Sequence, residues 1–168
     1  MTVEIPLHSR KYTGLVAIVD DEDAELVEGY SWCQFKAKKT FYATARVPGS
    51  GDPGQMILMH RLIRADVTGG IDHRDRDGLN NRRSNLRAAS QSQQNANQAR
   101  KTNNTSGYTG VTWDEQHEAW KSQIGVNRKT HSLGLYDDPV EAAMVRDFAA
   151  RQAFGEFASL NFPNSYAA

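Results

Sequence analysis

One segment in the middle of the chain carries the pattern that most restricts how the chain can fold. Strand-forming residues at 71 to 74 and 86 to 88 flank a polar, turn-forming stretch. Ser90 followed three residues later by Gln93 is a capping-box pattern, so a helix should begin just after Ser90 and run towards Arg100. The sequence therefore predicts a hairpin followed directly by a helix.

The region before this hairpin predicts a small sheet. Residues 15 to 19 are β-branched and apolar, and residues 40 to 47 alternate, as strands do. The acidic residues 20 to 28 could form one short helix turn between them. Residues 48 to 54, with three glycines and two prolines, must be a loop that separates this sheet from the hairpin.

The last third of the chain predicts three strands followed by one helix. The strands are expected at residues 110 to 113, 119 to 126 and 131 to 136. Asp138 suits the N-cap of the helix, Pro139 its first position and Gly155 its C-terminal end. One apolar face of this helix should cover one side of the sheet and leave the other side free. Its members are Val140, Ala143, Met144 and Phe148.

These elements define an α+β protein of two domains. Residues 1 to 100 form the first domain, a small N-terminal sheet with the hairpin-helix core at about residues 56 to 100. Residues 101 to 107 are turn formers with no apolar side chain to bury, and are expected to be a linker. Residues 108 to 163 form the second domain, a three-stranded antiparallel sheet packed on one helix.

The formal net charge of +0 conceals an uneven distribution. Residues 60 to 105 hold nine Lys or Arg against four Asp, and no acidic residue falls between Asp77 and Asp114. Contact with phosphates is one use of such a segment, and a merely solvated basic surface is the other. The cations expected to contact phosphate are Arg82, Arg83, Arg87, Arg100 and Lys101.

Composition restricts the surroundings in which the chain works. Cys33 is the only cysteine, so an internal disulfide and a cysteine-based metal site are excluded. The mean hydropathy is -0.65, the apolar stretches are short, and the N-terminal residues do not form a secretory signal. We therefore expect a cytoplasmic protein with no membrane partner, and the sequence indicates no protein partner.

Asp72 and His73 stand together in the predicted hairpin and can serve phosphodiester hydrolysis. A histidine titrates near neutral pH and can accept a proton from water, which makes His73 the candidate general base. Asp72 offers a hard carboxylate oxygen, and the helix offers amide oxygens, which together suit Mg²⁺ or Mn²⁺ better than zinc. The amides belong to Gln94, Asn95 and Asn97. Because an Asp-His pair in a polar stretch is more often a surface loop, the weight rests on the order and spacing of the whole set.

The same residues resemble those of HNH endonucleases of the homing type, which are often found in bacteriophage genomes. The matching segments are MHRLI, IDHRDRDG, NNRRSNL and SQSQQNAN. The resemblance implies a ββα-metal fold in which Asp72 binds one divalent cation, His73 is the general base, and Asn85 orients the base and supports the metal loop. It also matches His60, beside Arg61, to a structural or phosphate-contacting position.

One position departs from this family's pattern. Counting from Asn85, the last metal ligand, usually Asn or His, should fall at residue 94, which is Gln94 here. Asn95 lies next to it but about 100° around a helix. Either Gln94 serves as the ligand, or the helix register shifts by one so that Asn95 does. The third letter of the motif is not a histidine here, which fits Mg²⁺ better than zinc.

Residues 106 to 163 resemble the three-stranded-sheet DNA-binding domain of plant ethylene-response transcription factors. The matching features are the YTGV start, the LGLY turn, the Glu-Ala-Ala helix and the closing LNF. The resemblance implies an exposed sheet face that lies in the DNA major groove. The positions implied to project there are Thr112, Trp113, Trp120, Lys121, Gln123, Arg128, Lys129 and His131. For Trp113 and Trp120 the alternative is core packing.

The sequence thus predicts an endonuclease that cuts double-stranded DNA with one divalent cation and is positioned by its C-terminal sheet. The alternative from another class is a non-catalytic DNA-binding regulator on a decayed nuclease scaffold. Gln94 keeps that alternative open, whereas the intact set of Asp72, His73 and Asn85 argues against it. RNA is a less favoured substrate, because the sheet module resembles a reader of duplex DNA.

Overall fold

The computed structural model describes residues 1–52, 54–97 and 104–163 of the chain. Within these residues the protein is a mixed α+β structure built from small antiparallel sheets and short helices. The contacts divide it into two compact units, Met1–Ala89 and Ser90–Ala168. Each unit is described by itself.

Among its described residues, the first unit contains three small sheets and two short helices. One sheet pairs β1 (Thr2–Pro6) with β2 (Val16–Asp20), and a second has the order β3 (Cys33–Lys36), β4 (Phe41–Arg46), β5 (Met56–Leu58). The third is the hairpin of β6 (Gly70–His73) and β7 (Leu86–Ala89). The helices are α1 (Ala24–Glu28), which follows a 3-10 turn at Asp21–Asp23, and α2 (Met59–Ile63). The strands and the acidic helix turn expected from the sequence are therefore confirmed.

A single apolar core joins these sheets. Trp32 and Met59 are its largest buried side chains, and Val19 and Val27 pack with them. The Trp32 indole Nε1 donates to the carbonyl oxygen of Val27 at 2.8 Å, so the polar atom of this buried ring is satisfied. The core therefore lies behind the hairpin and holds it against the N-terminal strands.

The helix α3 (Gln91–Ala96) begins where its capping box predicts. The hydroxyl of Ser90 accepts from the backbone N–H of Gln93, and the Gln93 side chain accepts from the backbone N–H of Ser90 at 2.8 Å. Two N–H groups at the helix start are satisfied in this way. α3 belongs to the second unit, and its expected continuation towards Arg100 lies outside the described residues.

The sheet of the second unit has the order β10 (Lys129–Tyr136), β9 (Ala119–Val126), β8 (Val111–Asp114). Asn127 and Arg128 form a two-residue turn between β9 and β10, with φ of 49° and 65°. Two successive positive φ values match the twist of a tight hairpin. β10 therefore begins two residues earlier than the sequence predicts.

The helix α4 (Pro139–Phe154) also has the ends that the sequence predicts. The Asp138 carboxylate accepts from the backbone N–H of Val140 at 2.8 Å. Pro139 is the first helical residue, and Gly155 ends the helix with a φ of 54°. These capping residues set the helix bounds independently of what the helix packs against.

The predicted apolar face of α4 is correct for Ala143 and wrong for its other three members. Val140, Met144 and Phe148 are 37%, 43% and 59% exposed, whereas Ala142 and Ala143 are fully buried. The helix lies close to the sheet, since the Ser122 hydroxyl on β9 donates to the Ala142 carbonyl oxygen at 2.7 Å. Only small side chains fit at so close an approach. The alanines therefore face the sheet, and the larger apolar residues face outwards.

Residues 104–107 make local hydrogen bonds within the second unit. The Asn104 side-chain amide donates to the Tyr108 carbonyl oxygen at 2.7 Å, and the Ser106 hydroxyl donates to the Val111 carbonyl oxygen at 2.7 Å. Residues 101–103, the rest of the expected linker, lie outside the described residues. The phosphate contacts predicted for Arg100 and Lys101 lie outside them as well. The division into domains at residues 101 to 107 stays a prediction.

Two neighbouring residues of α4 should differ in how much their loss destabilises the second unit, because Asp147 is buried and Phe148 is exposed. Asp147 is fully buried and accepts from the backbone N–H groups of Asn161 and Phe162 at 2.7 and 2.9 Å, beside the buried Arg146. Asp147→Ala should destabilise the second unit by about 3–5 kcal/mol, because it leaves a buried cation and buried donors unpaired. Phe148→Ala should cost less than about 1 kcal/mol. Urea unfolding of both variants measures this, and equal losses would contradict the packing described.

Candidate functional site

The candidate site lies in the first unit, at the end of β6. Asp72 and His73 are neighbours on this strand, and both are buried. Because successive strand residues point to opposite sides, the two side chains have separate surroundings. Asp72 pairs across the hairpin with Arg87, and His73 pairs with Leu86.

His73 is held in a pocket of aromatic and amide side chains. Its ring lies 5.7 Å from the Tyr42 ring and 5.1 Å, edge to face, from the His60 ring. Its Nε2 atom lies 3.4 Å from Oδ1 of Asn81, a long hydrogen bond. The Asn81 amide donates to the Leu79 carbonyl oxygen at 3.1 Å, which sets the orientation of that amide and directs Oδ1 towards the histidine.

These contacts determine the protonation of His73. Since Oδ1 of Asn81 is an acceptor, the bond requires the proton on Nε2 and leaves the lone pair on Nδ1. Burial lowers the pKa of His73, although the Asn81 bond and the carboxylates of Asp75 and Asp72 act in the opposite direction. The imidazole is therefore neutral at neutral pH and able to accept a proton.

His60 on α2 is a buried neutral histidine as well. Burial, with smaller contributions from His73 and Arg61, lowers its pKa to about 3. A neutral ring that packs against Tyr42 and His73 offers no charge to a phosphate, which favours the structural alternative for this position over phosphate contact. Arg61 is exposed, and its guanidinium donates to the Gly69 carbonyl oxygen at 2.6 Å.

Asn85 ties the loop between β6 and β7. Its Nδ2 donates to Asp75 Oδ1 at 2.9 Å and to the Asn80 carbonyl oxygen at 2.7 Å, and its Oδ1 accepts from the Asp75 backbone N–H at 3.1 Å. Although partial burial opposes it, bonds from the Asp77 backbone and from Asn80 and Asn85 lower the pKa of Asp75. Asn85 acts on His73 through the loop, because the loop carries Asn81.

The same loop is fastened to two strands outside the hairpin. The Ile18 backbone N–H on β2 donates to the Leu79 carbonyl oxygen at 2.8 Å, and the Ile18 carbonyl oxygen accepts from the Asn81 N–H at 2.7 Å. The Gly78 N–H donates to the Thr40 hydroxyl at 2.9 Å. A side chain at Gly78 would collide with the backbone beside Thr40, so this approach requires glycine.

Arg87 does not reach outwards as predicted. Arg87 is 7% exposed, and its guanidinium donates to Oδ2 of Asp72 at 2.9 and 3.0 Å. The structure does not support the prediction that Arg87 contacts phosphate, because the hairpin register pairs Arg87 with the buried carboxylate of Asp72. Hairpin register is also the signal in the sequence that could have revealed this ion pair.

Two further predicted phosphate contacts are engaged within the unit. The Arg83 guanidinium donates to the Asp23 carboxylate at 2.6 and 2.9 Å, and it also lies 3.3 Å from Glu22. Its backbone N–H donates to Asp20 at 2.8 Å. Asp20, Glu22 and Asp23 form an acidic cluster, and Arg83 lies within bonding distance of all three. Arg82 donates to the Asn80 side chain at 3.0 Å.

The sheet of the second unit separates the predicted DNA contacts by face. Trp120 packs on the helix side with Val111 and the α4 alanines. Trp113 is its cross-strand partner and its ring lies 5.1 Å away, so both rings share that side. The expectation that Trp113 and Trp120 project from the open face is wrong, and the core-packing alternative holds for Trp120.

The open face carries fewer of the predicted residues than expected. Thr112 pairs with Lys121, and Gln123 pairs with Ser132, on the side opposite the tryptophans. His131 pairs with the buried Ile124 and therefore points to the helix side. Lys129, two residues earlier, shares that side, and Arg128 lies in the turn. The open-face assignment is thus corrected for Lys129 and His131.

The predicted ligands Gln94 and Asn95 lie on α3 in the second unit. The choice between them stays a prediction. Sequence reasoning missed Tyr42, Asn81 and Thr40, which lie far from the motif or inside its polar loop. No spacing rule singles them out, because the fold brings Tyr42 and Asn81 to His73 and brings Thr40 to Gly78 of the loop.

Comparisons with known proteins give two similar sequences. A protein of Acanthamoeba polyphaga mimivirus, named as an uncharacterized HNH endonuclease, is 29% identical over 155 residues, which is 88% of this chain and 75% of that protein. Protein 3.8 of Escherichia phage T7 is 33% identical over 67 residues, which is 40% of this chain and 55% of that protein. No family model matches the chain.

The mimivirus relative supports the suspected relation to HNH endonucleases at the level of a distant likeness. The resemblance of the C-terminal part to ethylene-response DNA-binding domains receives no support from the comparisons. Among the described residues, no helix combines the length and apolarity that crossing a membrane requires.

The buried histidines predict an acid-sensitive first unit. Because the pKa of His60 falls from 6.5 to about 3 on folding, the unfolded chain binds a proton in this window that the folded chain does not. The free energy of unfolding should therefore fall as pH decreases below about 6.5, by at most about 1.4 kcal/mol per pH unit for this group. His60→Leu, which cannot take up a proton, should flatten the dependence. Urea unfolding at several pH values, followed by the fluorescence of Trp32 with Trp113 and Trp120 replaced by Phe, measures both slopes, and parallel slopes would refute the assignment.

Proposed function

We propose that the protein is a metal-dependent endonuclease that hydrolyses phosphodiester bonds in double-stranded DNA, with His73 as the general base. The observation that carries the proposal is the pocket around His73. A buried neutral imidazole, oriented by Asn81, is suited to take a proton from water. The distant likeness to a protein named as an HNH endonuclease points to the same reaction class.

In this proposal Nδ1 of His73 accepts the proton of the attacking water. Asn81 holds the opposite ring nitrogen, so the ring cannot turn without losing that bond. Asn85 is a positioning residue, because its three bonds fix the loop that carries Asn81. Burial by Tyr42 and His60 keeps the imidazole neutral at the pH at which it must work.

The cation in this proposal is Mg²⁺ or Mn²⁺, held by Asp72 and by Gln94 or Asn95. Carboxylate and amide oxygens are the donors that these hard ions prefer, so the residues fit the group chemically. When bound, the ion stabilises the charge that develops on the phosphate and the leaving oxygen. Asp72 also forms an ion pair with Arg87, so a metal cation at Asp72 would be repelled by the positive charge of that guanidinium.

Open-face residues of the second unit would position the duplex. Thr112, Lys121 and Gln123 offer a hydroxyl, a cation and an amide on one side of β8 and β9. A sheet face of this kind can lie in the major groove, where such groups contact base edges and phosphates. Tethering raises the local concentration of DNA around the active site.

One observation favours the second candidate, a non-catalytic DNA-binding regulator. The Asp72 carboxylate is already neutralised by Arg87 in a buried ion pair, as it would be in a scaffold that needs no metal. Cleavage separates the two functions, because only the enzyme turns over DNA.

The test is cleavage of supercoiled plasmid by the purified protein with Mg²⁺ or Mn²⁺, and with EDTA. We expect cation-dependent nicking or linearisation, reduced about 10²- to 10⁴-fold in His73→Ala because the general base is lost. His8→Ala, a change at an exposed histidine of the same unit, is the matched control and should cleave as the parent does. DNA binding without cleavage in either metal, across several target sequences, would favour the regulator.

A further inference from the structure

The first unit carries a cluster of cations outside the candidate site. Residues 1 to 59 hold six Lys or Arg, and none of them falls in the acidic run of residues 20 to 28. No acidic residue lies between Glu4 and Asp20, or between Glu28 and Asp52. We call the Tyr12 surface the set formed by Arg10, Lys11, Tyr12, Lys36, Lys38 and Lys39. The net charge of residues 1 to 59 does not reveal this surface, because the acidic residues of 20 to 28 outnumber its cations.

The fold brings the two parts of this surface together. His8 bridges Cys33 at the edge of β3, and the Gln34 amide donates to the Ser9 hydroxyl at 2.6 Å. The same hydroxyl accepts from the backbone N–H of Tyr12 at 2.8 Å, which turns the chain back over the sheet. The Tyr12 ring then packs edge to face on Phe41, with 5.0 Å between ring centroids.

Two ammonium groups converge on this one ring. Nζ of Lys36 donates to the Tyr12 hydroxyl at 3.2 Å and lies 5.2 Å from the ring centroid, while Nζ of Lys11 lies 5.5 Å from it. Within the described residues, no carboxylate lies within 4.0 Å of Arg10, Lys11, Lys36 or Lys38. Like charges held together without an acidic partner leave a strong positive potential, which suits an anionic ligand.

The hairpin tip of the Tyr12 surface leads along the chain to the candidate site, although Phe41 and Tyr42 point to opposite faces of β4. Lys38 and Lys39 form the tip between β3 and β4, where the Ala37 N–H donates to the Thr40 carbonyl oxygen at 2.9 Å. The Thr40 hydroxyl holds Gly78 of the site loop, and Tyr42, two residues on, contacts His73. At about 3.3 Å per strand residue, the tip lies about 10 Å along the strand from Tyr42. This is the rise of about three base pairs of B-form DNA.

We propose that the Tyr12 surface binds the phosphate backbone of duplex DNA about three base pairs from the phosphate attacked at His73. The proposal rests on the proposed function and deepens it, because it assigns a further part of the substrate to the N-terminal sheet. The cations lie on a turn and a hairpin tip fixed by bonds to the body of the unit, so little ordering is needed when a phosphate binds. Contacts of this kind fix the register of the duplex without reading its sequence.

The experiment measures duplex binding by fluorescence anisotropy in a His73→Ala background, which removes cleavage from the measurement. Lys38→Gln, and Lys11→Gln with Lys38→Gln, remove charge from the surface. Lys36 is left in place because it bonds Tyr12. Arg46→Gln is the matched control, an exposed cation at the opposite end of β4. Each lost phosphate contact should lower the slope of log affinity against log salt by about 0.9, and the double variant should bind about tenfold more weakly at moderate salt.

The outcomes separate this proposal from the proposed function. An unchanged affinity and salt slope in the double variant, while the protein with His73 intact cleaves DNA, would overturn the Tyr12 surface alone. A parent that binds no duplex would overturn both. Equal loss in Arg46→Gln would show a general charge effect and would also overturn the surface. A hydroxyl-radical footprint that shortens by about three base pairs on one side, in the double variant only, supports it.

Discussion

The three hydrogen bonds of the Asn85 side chain hold the part of the first unit on which the site depends. They join the two ends of a polar loop that has no helix or strand of its own to order it. Bonds to Ile18 and Thr40 then fix the loop to sheets formed by distant parts of the sequence. A buried amide with unmatched partners costs more than it contributes when paired, so loss of Asn85 would release the loop as a whole. The orientation of His73 follows from the loop, because Asn81 is part of it.

Burial and charge act against each other at the two histidines. Packing His60 edge to face and His73 at a tilt against Tyr42 removes water from both rings and keeps them neutral. The nearby carboxylates of Asp75 and Asp72 raise the pKa of His73 and partly offset this effect, whereas no such carboxylate acts on His60, whose pKa falls to about 3. A general base must be neutral near neutral pH and still able to bind a proton. The carboxylates near His73 make it better suited to this task than His60.

The sequence predicted those elements whose cause is local. The capping box at Ser90 and the caps of α4 depend on residues within one turn of the helix end, and both were confirmed. Three of the four residues predicted for the buried face of α4 are exposed because the distance between helix and sheet selects alanine, a fact that helical spacing does not contain. The faces of Trp113 and Trp120 depend on strand register, which is set by the whole sheet. Tyr42 joins His73 only through tertiary contacts, so no motif could identify it, whereas Asn81 lies in the NNRRSNL segment and its role became clear only from the folded loop.

The ion pair between Asp72 and Arg87 links the hairpin's stability to its chemistry. A buried carboxylate without a partner is strongly unfavourable, so a guanidinium at the opposite hairpin position allows Asp72 to be buried in the folded protein. The same neutralisation weakens the attraction of Asp72 for a second cation. A protein that uses Asp72 for a metal must therefore balance folding against metal affinity at one side chain. Register makes this balance unavoidable, because no residue other than Arg87 lies directly opposite Asp72 in the hairpin.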